Sequence, residues 1–332
     1  MEFVVGLIPV SVRIFFSTHY WTKQFSFGRF MKSFFAVCGM GAAAAEAGKK
    51  LVDLFKDPGQ TNWLTVFLDT HHWGVILTIS GVAVIAAMII LKPTTKVTAL
   101  LKKRDLNISI EVGDLLATNY TLIIGTNTTF DTAIGSPGIS QDSLQGKFTK
   151  RYYGTSVQHL DTDLDASLRS VACKELSVIE KGMGKRMQYE MGSVAKINAH
   201  GRDAYFVAMA RMNGNLVAST TIEDVRTALS SLWLYISEKG GGLPRLRVPI
   251  LGTGFGKLVE TREEVVKEIL RSLVAACTSD RFCDQFTVVI SVKDFVEYKI
   301  DLIELGEFLK YLTTYTELRS VSDVGSGVAV GA

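Results

Sequence analysis

The sequence predicts an α/β domain of three layers, a mixed sheet flanked by helices, preceded by a two-helix transmembrane region. Three observations carry this. Trp73–Leu91 is an uncharged run of 19 residues, long enough to cross about 30 Å of hydrocarbon as a helix. From Asp105 onward, short β-rich runs alternate with helix-like runs, the pattern of a sheet covered by helices. The composition also changes along the chain. Mean hydropathy over the 332 residues is +0.23 with 47% hydrophobic residues, and the excess sits at the front.

Residues 1–29 open the chain, with Met1–Phe16 apolar except for Glu2 and Arg13. They read as an interfacial or oligomer-packing segment. The basic residue follows the apolar run, which disfavours a cleaved signal peptide. The transmembrane hairpin is expected over residues 30–91. Its first span, residues 30–52, has an uncharged stretch of only 13 residues, Ser33–Ala45, so Lys32 and Lys49 must snorkel toward opposite interfaces. Gly39, Gly41 and Ala42–Ala45 form a small-residue face suited to close helix packing, expected as an oligomer contact, and Glu46 would lie inside the membrane or at its rim. The second span, residues 73–91, lacks the polar face that a soluble helix of this length would show. Arg13, Lys23, Arg29 and Lys32 precede the hairpin and Lys92, Lys96, Lys102, Lys103 and Arg104 follow it, so both ends are expected in the cytoplasm. Residues 92–104 read as a basic linker able to touch anionic head groups.

Residues 105–319 form the expected α/β domain. Ile108–Val112, Tyr120–Thr126, Ala204–Met212, Arg245–Leu251 and Phe286–Val292 read as strands. Thr221–Lys239 is an amphipathic helix with Val225, Leu229, Leu232, Trp233 and Ile236 on one side, and Leu302–Tyr311 is a closing helix. Residues 320–332 are a small-residue tail, expected to be flexible. Cys38, Cys173, Cys277 and Cys283 show no paired spacing and read as reduced thiols. His71-His72 lacks a partner carboxylate or thiol pattern, so no metal is expected there. A net charge of +3, with its basic cluster beside the membrane span, gives no reason to invoke nucleic acid.

Val248–Lys257 (Val-Pro-Ile-Leu-Gly-Thr-Gly-Phe-Gly-Lys) is a strand that runs into Gly252, Gly254 and Gly256, shortly before a helix. Alternate glycines let the chain turn with positive φ and bring backbone N–H groups against phosphate oxygens. Thr261 and Glu264 form a capping box for the helix carrying Val265, Val266, Ile269, Leu270, Leu273 and Val274. Alone, the glycine pattern also fits a tight surface turn. Two earlier strand ends accompany it: Glu-Val-Gly-Asp at Glu111–Asp114 and Ile-Ile-Gly-Thr-Asn at Ile123–Asn127.

In this order the three motifs resemble the macrodomain, the ADP-ribose-binding module. The resemblance implies an α/β macrodomain fold in which Asp114, with Leu115 beside it, reads adenine. Asn127 would sit near the distal ribose, and Gly252, Thr253, Gly254, Phe255 and Gly256 would hold the diphosphate. The loop after Asn127 is rebuilt relative to common macrodomains. Its Phe130-Asp131-Thr132, Ile139-Ser140 and Ser143-Leu144-Gln145-Gly146 resemble the macrodomain of the type II Thoeris anti-phage effector, a bacterial protein with two transmembrane helices before its macrodomain.

That likeness implies a sensor at the bacterial inner membrane, multi-pass, with its macrodomain cytoplasmic. A partner TIR-domain enzyme would consume NAD and release an ADP-ribose derivative of the histidine-ADP-ribose type. Binding of that ligand would trigger homo-oligomer-dependent disruption of the lipid bilayer and arrest or kill the cell. Asp131 would then face the distal ribose or its conjugate, and Ser143, Leu144, Gln145 and Gly146 would line the phosphates or the added group. Phe295 or Tyr298 would stack on adenine. The residues alone leave plainer readings open: Asn127 as a turn cap, Ser143 as a helix N-cap, Phe295 as core.

No catalytic residue, cofactor or metal is expected. Macrodomain hydrolases of the common type carry a second Asn and a triple glycine, whereas here Gly240–Gly242 lies far along the chain and only Asp131 offers itself as a base. The alternatives are a membrane-bound ADP-ribosyl hydrolase and a nucleotide-gated channel unrelated to defence.

Overall fold

The computed structural model describes residues 9–135, 138–154, 156–212, 218–252, 258–279 and 281–316, which divide between two compact units, Met1–Thr94 and Thr95–Ala332. The expected tail at residues 320–332 lies outside the described residues.

In the first unit the helices are α1 (Val10–Phe15), α2 (Phe27–Phe55), α3 (Trp63–Thr70) and α4 (His72–Ile90), with a π-helical turn at Tyr20–Gln24. Asn62 starts α3 by accepting from the N–H groups of Leu64 and Thr65. Its amide donates to the Lys49 carbonyl at 2.9 Å, which fixes the turn between α2 and α3. The segment before α2 folds back on the end of α4: the Tyr20 hydroxyl donates to the Leu91 carbonyl, and Tyr20, Trp21, Phe15 and Phe25 pack ring against ring.

Among the described residues one helix, His72–Ile90, is long and apolar enough to cross a membrane. The helix expected over residues 30–52 is continuous from Phe27 to Phe55, but Arg29, Lys32, Glu46, Lys49, Lys50 and Asp53 break its apolar character. Glu46 is exposed and sits 3.7 Å from Lys49. Gly41 meets a neighbour within the hairpin: a Cβ there would come within 2.9 Å of Ile79 on α4, whereas Gly39 has open space around it. Gly41 thus serves α2–α4 packing.

The second unit begins earlier than expected. Lys96–Leu101 is a strand, β1, paired antiparallel with β2 (Leu106–Val112) from Lys96↔Glu111 to Leu101↔Leu106. The centre of the basic linker expected at residues 92–104 is therefore an edge strand of the sheet, and Lys102–Arg104 is the turn that follows it. The reversal places Asp105 at φ 47°, and the Arg104 guanidinium donates to the Cys277 carbonyl at 2.8 Å and to those of Thr278 and Ser279. A cation reading as membrane-facing instead satisfies orphan carbonyls at a helix C-terminus.

Beyond β2 follow β3 (Thr121–Asn127), α5 (Leu144–Tyr152), α6 (Val157–Leu168), the small hairpin β4 (Cys173–Glu175) and β5 (Met187–Tyr189), then β6 (Val194–Ala199), β7 (Arg202–Met212) and β8 (Ala218–Ser219). The chain continues through α7 (Ile222–Lys239), β9 (Arg245–Pro249), α8 (Arg262–Ala276), β10 (Gln285–Ile290), α9 (Val292–Glu297) and α10 (Leu302–Tyr315). Val292, expected in the last strand, opens a helix because Ser291 caps it, accepting from the Asp294 N–H at 3.0 Å. The main sheet runs β1-β2-β10-β9-β3-β7-β6, with β2, β10, β9, β3 and β7 mutually parallel and β1 and β6 antiparallel at the edges.

Helices cover both faces. On β7, Phe206 meets Phe148 of α5, while its neighbour Tyr205 meets Tyr235 of α7. Successive strand residues point to opposite faces, so α5 and α7 lie on opposite sides of the sheet. The apolar stripe expected on α7 is buried throughout, as is that on α8, and Trp233 stacks on Phe282 and meets Phe286 edge-on.

Candidate functional site

The topology itself marks where a ligand fits. From β3 the chain moves outward to β7, then returns to β9 and proceeds to β10 on the other side. In open parallel sheets a crevice forms at such a reversal, outside the carboxyl ends of the strands. Strands β3 and β9 pair only at Thr121↔Leu246 and Leu122↔Arg247, near their amino ends, so they are free to diverge toward their carboxyl ends. Gly125 lies on β3 just before the end. A side chain there would overlap Met209 and approach Leu251 at 3.7 Å, so only glycine lets these neighbours pack against the strand.

Three loops border this end, as the sequence placed them. After β2, the exposed Asp114 accepts the Leu116 N–H at 2.9 Å, and Leu115 is buried beneath. After β9, Gly252 has φ 73°, the left-handed conformation the glycine pattern required. Thr253, Gly254, Phe255 and Gly256 lie outside the described residues. The Thr261 N–H and hydroxyl close the capping box on Glu264 and hold its carboxyl below the usual carboxylate range. Asp114 and Asn127 end strands that are three places apart, a separation of about 14 Å at ordinary strand spacing. The glycine turn of β9 lies between them.

The loop after β3 is built differently from the expectation. Asn127 is buried, and its side-chain oxygen Oδ1 collects the Thr129 N–H (3.2 Å) and the Asp131 N–H (3.1 Å). Its amide donates to Asp131 Oδ2 at 3.0 Å. Phe130 between them is held at φ 49°, uncommon for a bulky residue, with its ring buried edge-on against Tyr189. Such backbone strain costs about 1–3 kcal/mol and persists only where the surroundings over-determine it.

Asp131, expected to face the distal ribose or its conjugate, is buried within the loop in this structure. It is 7% exposed and fully engaged: Oδ2 accepts from Lys181 Nζ at 2.5 Å and from the Thr129 hydroxyl at 2.7 Å, and Oδ1 accepts the Lys185 N–H at 2.8 Å. Lys181, 1% exposed, also donates to Thr129 Oγ1 and to the Lys185 carbonyl. Lys181 is not legible in the sequence. It sits in Glu-Lys-Gly-Met-Gly-Lys-Arg, which reads as a solvated charge run, and nothing local signals burial.

Ser143 takes the N-cap role: it accepts the Gly146 N–H at 3.0 Å and donates to the Ser140 carbonyl at 2.6 Å. Gln145 donates to the Asp131 carbonyl at 2.6 Å, and Leu144 packs against the core. The structure thus brings together Asn127, Asp131, Ser143, Leu144, Gln145 and Gly146, but as a scaffold whose side chains bond one another. Two hydroxyls here, Thr126 and Thr128, are buried with no partner among the described residues.

Phe295 belongs to the core. It is 0% exposed on α9, which follows β10 directly. The aromatic that remains outside is Tyr298, whose ring lies under the Arg262 guanidinium at 3.2 Å. Phe295→Leu is expected to lower stability by roughly 1–2 kcal/mol while leaving AMP affinity within about twofold. A tenfold affinity loss at unchanged Tm would return Phe295 to the site.

The chain is similar to the Thoeris protein ThsA of Bacillus amyloliquefaciens (strain Y2), 25% identical over 213 residues, covering 61% of this chain and 68% of that one. Among solved structures it is similar to the Oceanobacillus iheyensis macrodomain with ADP (13% identity, TM-score 0.43, 65% of this chain and 96% of that one). It is also similar to Thermosipho africanus DarTG in complex with ADP-ribose (15% identity, TM-score 0.38, 64% and 47%). The family model described as Thoeris protein ThsA, Macro domain, matches residues 108–291, more than half of the chain. With an α/β sheet whose loops carry the macrodomain motifs at one end, this chain belongs to the Thoeris ThsA macro domain family.

Proposed function

We propose that this chain senses an ADP-ribose-type nucleotide without turning it over, and passes the signal to an N-terminal membrane unit in anti-phage defence. The observation that carries the reading is the chain reversal between β3 and β9, outside whose carboxyl ends open parallel sheets form a crevice. Asp114, the Gly252 turn and the Asn127 loop border it in the order that adenine, diphosphate and distal sugar would follow. The ligand would be an ADP-ribose derivative, of which histidine-ADP-ribose is the first candidate, made by a TIR-domain enzyme from NAD.

Two features favour sensing over hydrolysis. A general base must be free to take a proton within hydrogen-bond reach of the reacting water. Asp131, the one candidate from sequence, has both oxygens committed to Lys181, Thr129, Asn127 and the Lys185 N–H. Gly240–Gly242 lies just before β9 begins at Arg245, at the amino end of a strand whose carboxyl end borders the crevice.

For the output, the apolar helix His72–Ile90 supports membrane insertion, and α2 packs against it at the Gly41–Ile79 contact. So few membrane helices per chain cannot enclose a path alone, so bilayer disruption would require an oligomer.

The test is calorimetric titration of the full chain in detergent micelles with ADP-ribose, histidine-ADP-ribose and NAD, with ligand integrity followed by chromatography. The expected result is tight binding of the conjugate, weaker binding of ADP-ribose and no product. Release of free ADP-ribose from the conjugate would move the chain to the hydrolases, and absence of any binding would overturn the reading.

A further inference from the structure

We propose that Lys181 is a positioning residue that sets selectivity for the part of the ligand beyond the diphosphate; this rests on the ADP-ribose-type reading of the crevice. The residue lies on the connection between β4 and β5, a two-stranded sheet separate from the main one. Its ammonium has three N–H donors and finds three acceptors: Asp131 Oδ2 and Thr129 Oγ1, both at 2.5 Å, and the Lys185 carbonyl at 2.8 Å. It is therefore fully satisfied at 1% exposure and leaves no donor for a ligand.

What it holds is the end of β3. Through Asp131 it fixes Asn127, and the Asp131 carbonyl in turn receives Gln145 at the start of α5. The same connection adds a second tie, since Asp131 Oδ1 accepts the Lys185 N–H and Lys185 Nζ reaches Asp161 at 2.7 Å and Asp165 at 3.1 Å. Gly184 is required for this approach: at φ 79° its Cα comes so close that a side chain would press on Asp131 Oδ1 at 2.5 Å.

The left-handed Phe130 shows that the loop is not in a relaxed conformation. Its shape depends on the pins around it, and the strongest is a buried charge pair contributed from outside the loop. Without the ammonium, Asp131 is an uncompensated buried carboxylate, and it can recover water only by swinging out. That movement would carry Asn127 and the start of α5 with it. Asp114, which follows a strand three places away, has no bond to this network among the described residues. The effect is accordingly confined to the distal half of the crevice.

The experiment compares ADP-ribose with AMP on the full chain in detergent micelles by calorimetry. Lys181→Met is expected to weaken ADP-ribose binding by about 30-fold and to leave AMP within about twofold. A merely structural role would lower both affinities in parallel, so the ratio is the readout. The doubly neutral Asp131→Asn/Lys181→Met leaves no unpaired buried charge and guards against a single variant that fails to fold. It is expected to fold and still to have lost the preference for ADP-ribose over AMP. An unchanged ratio in either folded variant overturns the proposal, as does failure of the double variant to fold, which would make the pair a requirement of the fold itself. Wild-type chain that binds neither compound would overturn the sensor reading instead.

Discussion

Gly146→Ala is expected to remove ligand binding and to cost about 3 kcal/mol of stability. An added Cβ would overlap the Ser140 carbonyl oxygen and lie 3.0 Å from Gln141 Cα, both backbone atoms of the loop that leads into α5. Backbone cannot rotate away as the end of a side chain can. Either the loop lifts, which breaks the Ser143 cap and its bond to the Ser140 carbonyl, or the first turn of α5 unwinds, which withdraws Gln145 from Asp131. Calorimetric melting should show a Tm fall of roughly 6–12 °C, and ADP-ribose affinity should fall at least about tenfold. Gly182→Ala is the control: its nearest neighbour would be the Val178 carbonyl oxygen at 3.7 Å, an ordinary contact. A Gly146→Ala protein that melts and binds like the control would show that the loop has room the structure does not give it.

Arg202→Met is the second large effect, and it acts from the other end of the sheet. Arg202 is 4% exposed at the start of β7 and serves as a donor hub for the β2–β3 connection. Its Nε donates to the Tyr120 carbonyl at 3.0 Å, Nη1 to the Leu116 carbonyl at 3.1 Å and to the Tyr152 hydroxyl, and Nη2 to the Leu115 carbonyl at 3.4 Å. Methionine fills much of the volume but leaves these carbonyls without donors, at about 1–3 kcal/mol for each group left unsatisfied. The total expected is about 3–5 kcal/mol, seen as a Tm fall of roughly 10 °C or more.

Leu115 and Leu116 follow Asp114 directly, so adenine-nucleotide affinity should weaken as well. Arg202→Lys should recover only part of the loss, because a point ammonium cannot span carbonyls that a planar guanidinium reaches together. A Tm within about 2 °C of wild type would show that the connection holds its shape without this hub.

These variants separate what local sequence encodes from what assembly adds. The glycine turn, the capping box at Thr261 and Glu264, and the buried stripes of α7 and α8 were legible because each depends on residues a few positions apart. A left-handed φ at Gly252 or a one-sided helix is specified by its own segment, whatever surrounds it. The order of the three loop motifs was legible for the same reason, and with it the macrodomain fold.

What the sequence could not give was the purpose of its charges. Lys96–Leu101 read as linker because Lys96 and the flanking Lys92, Lys102, Lys103 and Arg104 masked the alternating Val97, Ala99 and Leu101, and only pairing with β2 makes it a strand. Arg104 read as membrane-facing and nothing local singled out Lys181 or Arg202, yet each donates to groups between 50 and 174 positions away. Asp131 read as ligand-facing for the same reason in reverse, since its partner Lys181 is invisible until the β4–β5 connection is laid over the loop. A charge has no periodicity to betray its burial; its environment is decided by whichever distant segment supplies the counter-group. The sequence by itself therefore determined the fold class and the loops that border the crevice. Only the tertiary structure decided which polar side chains in those loops bond one another and which remain open to a ligand.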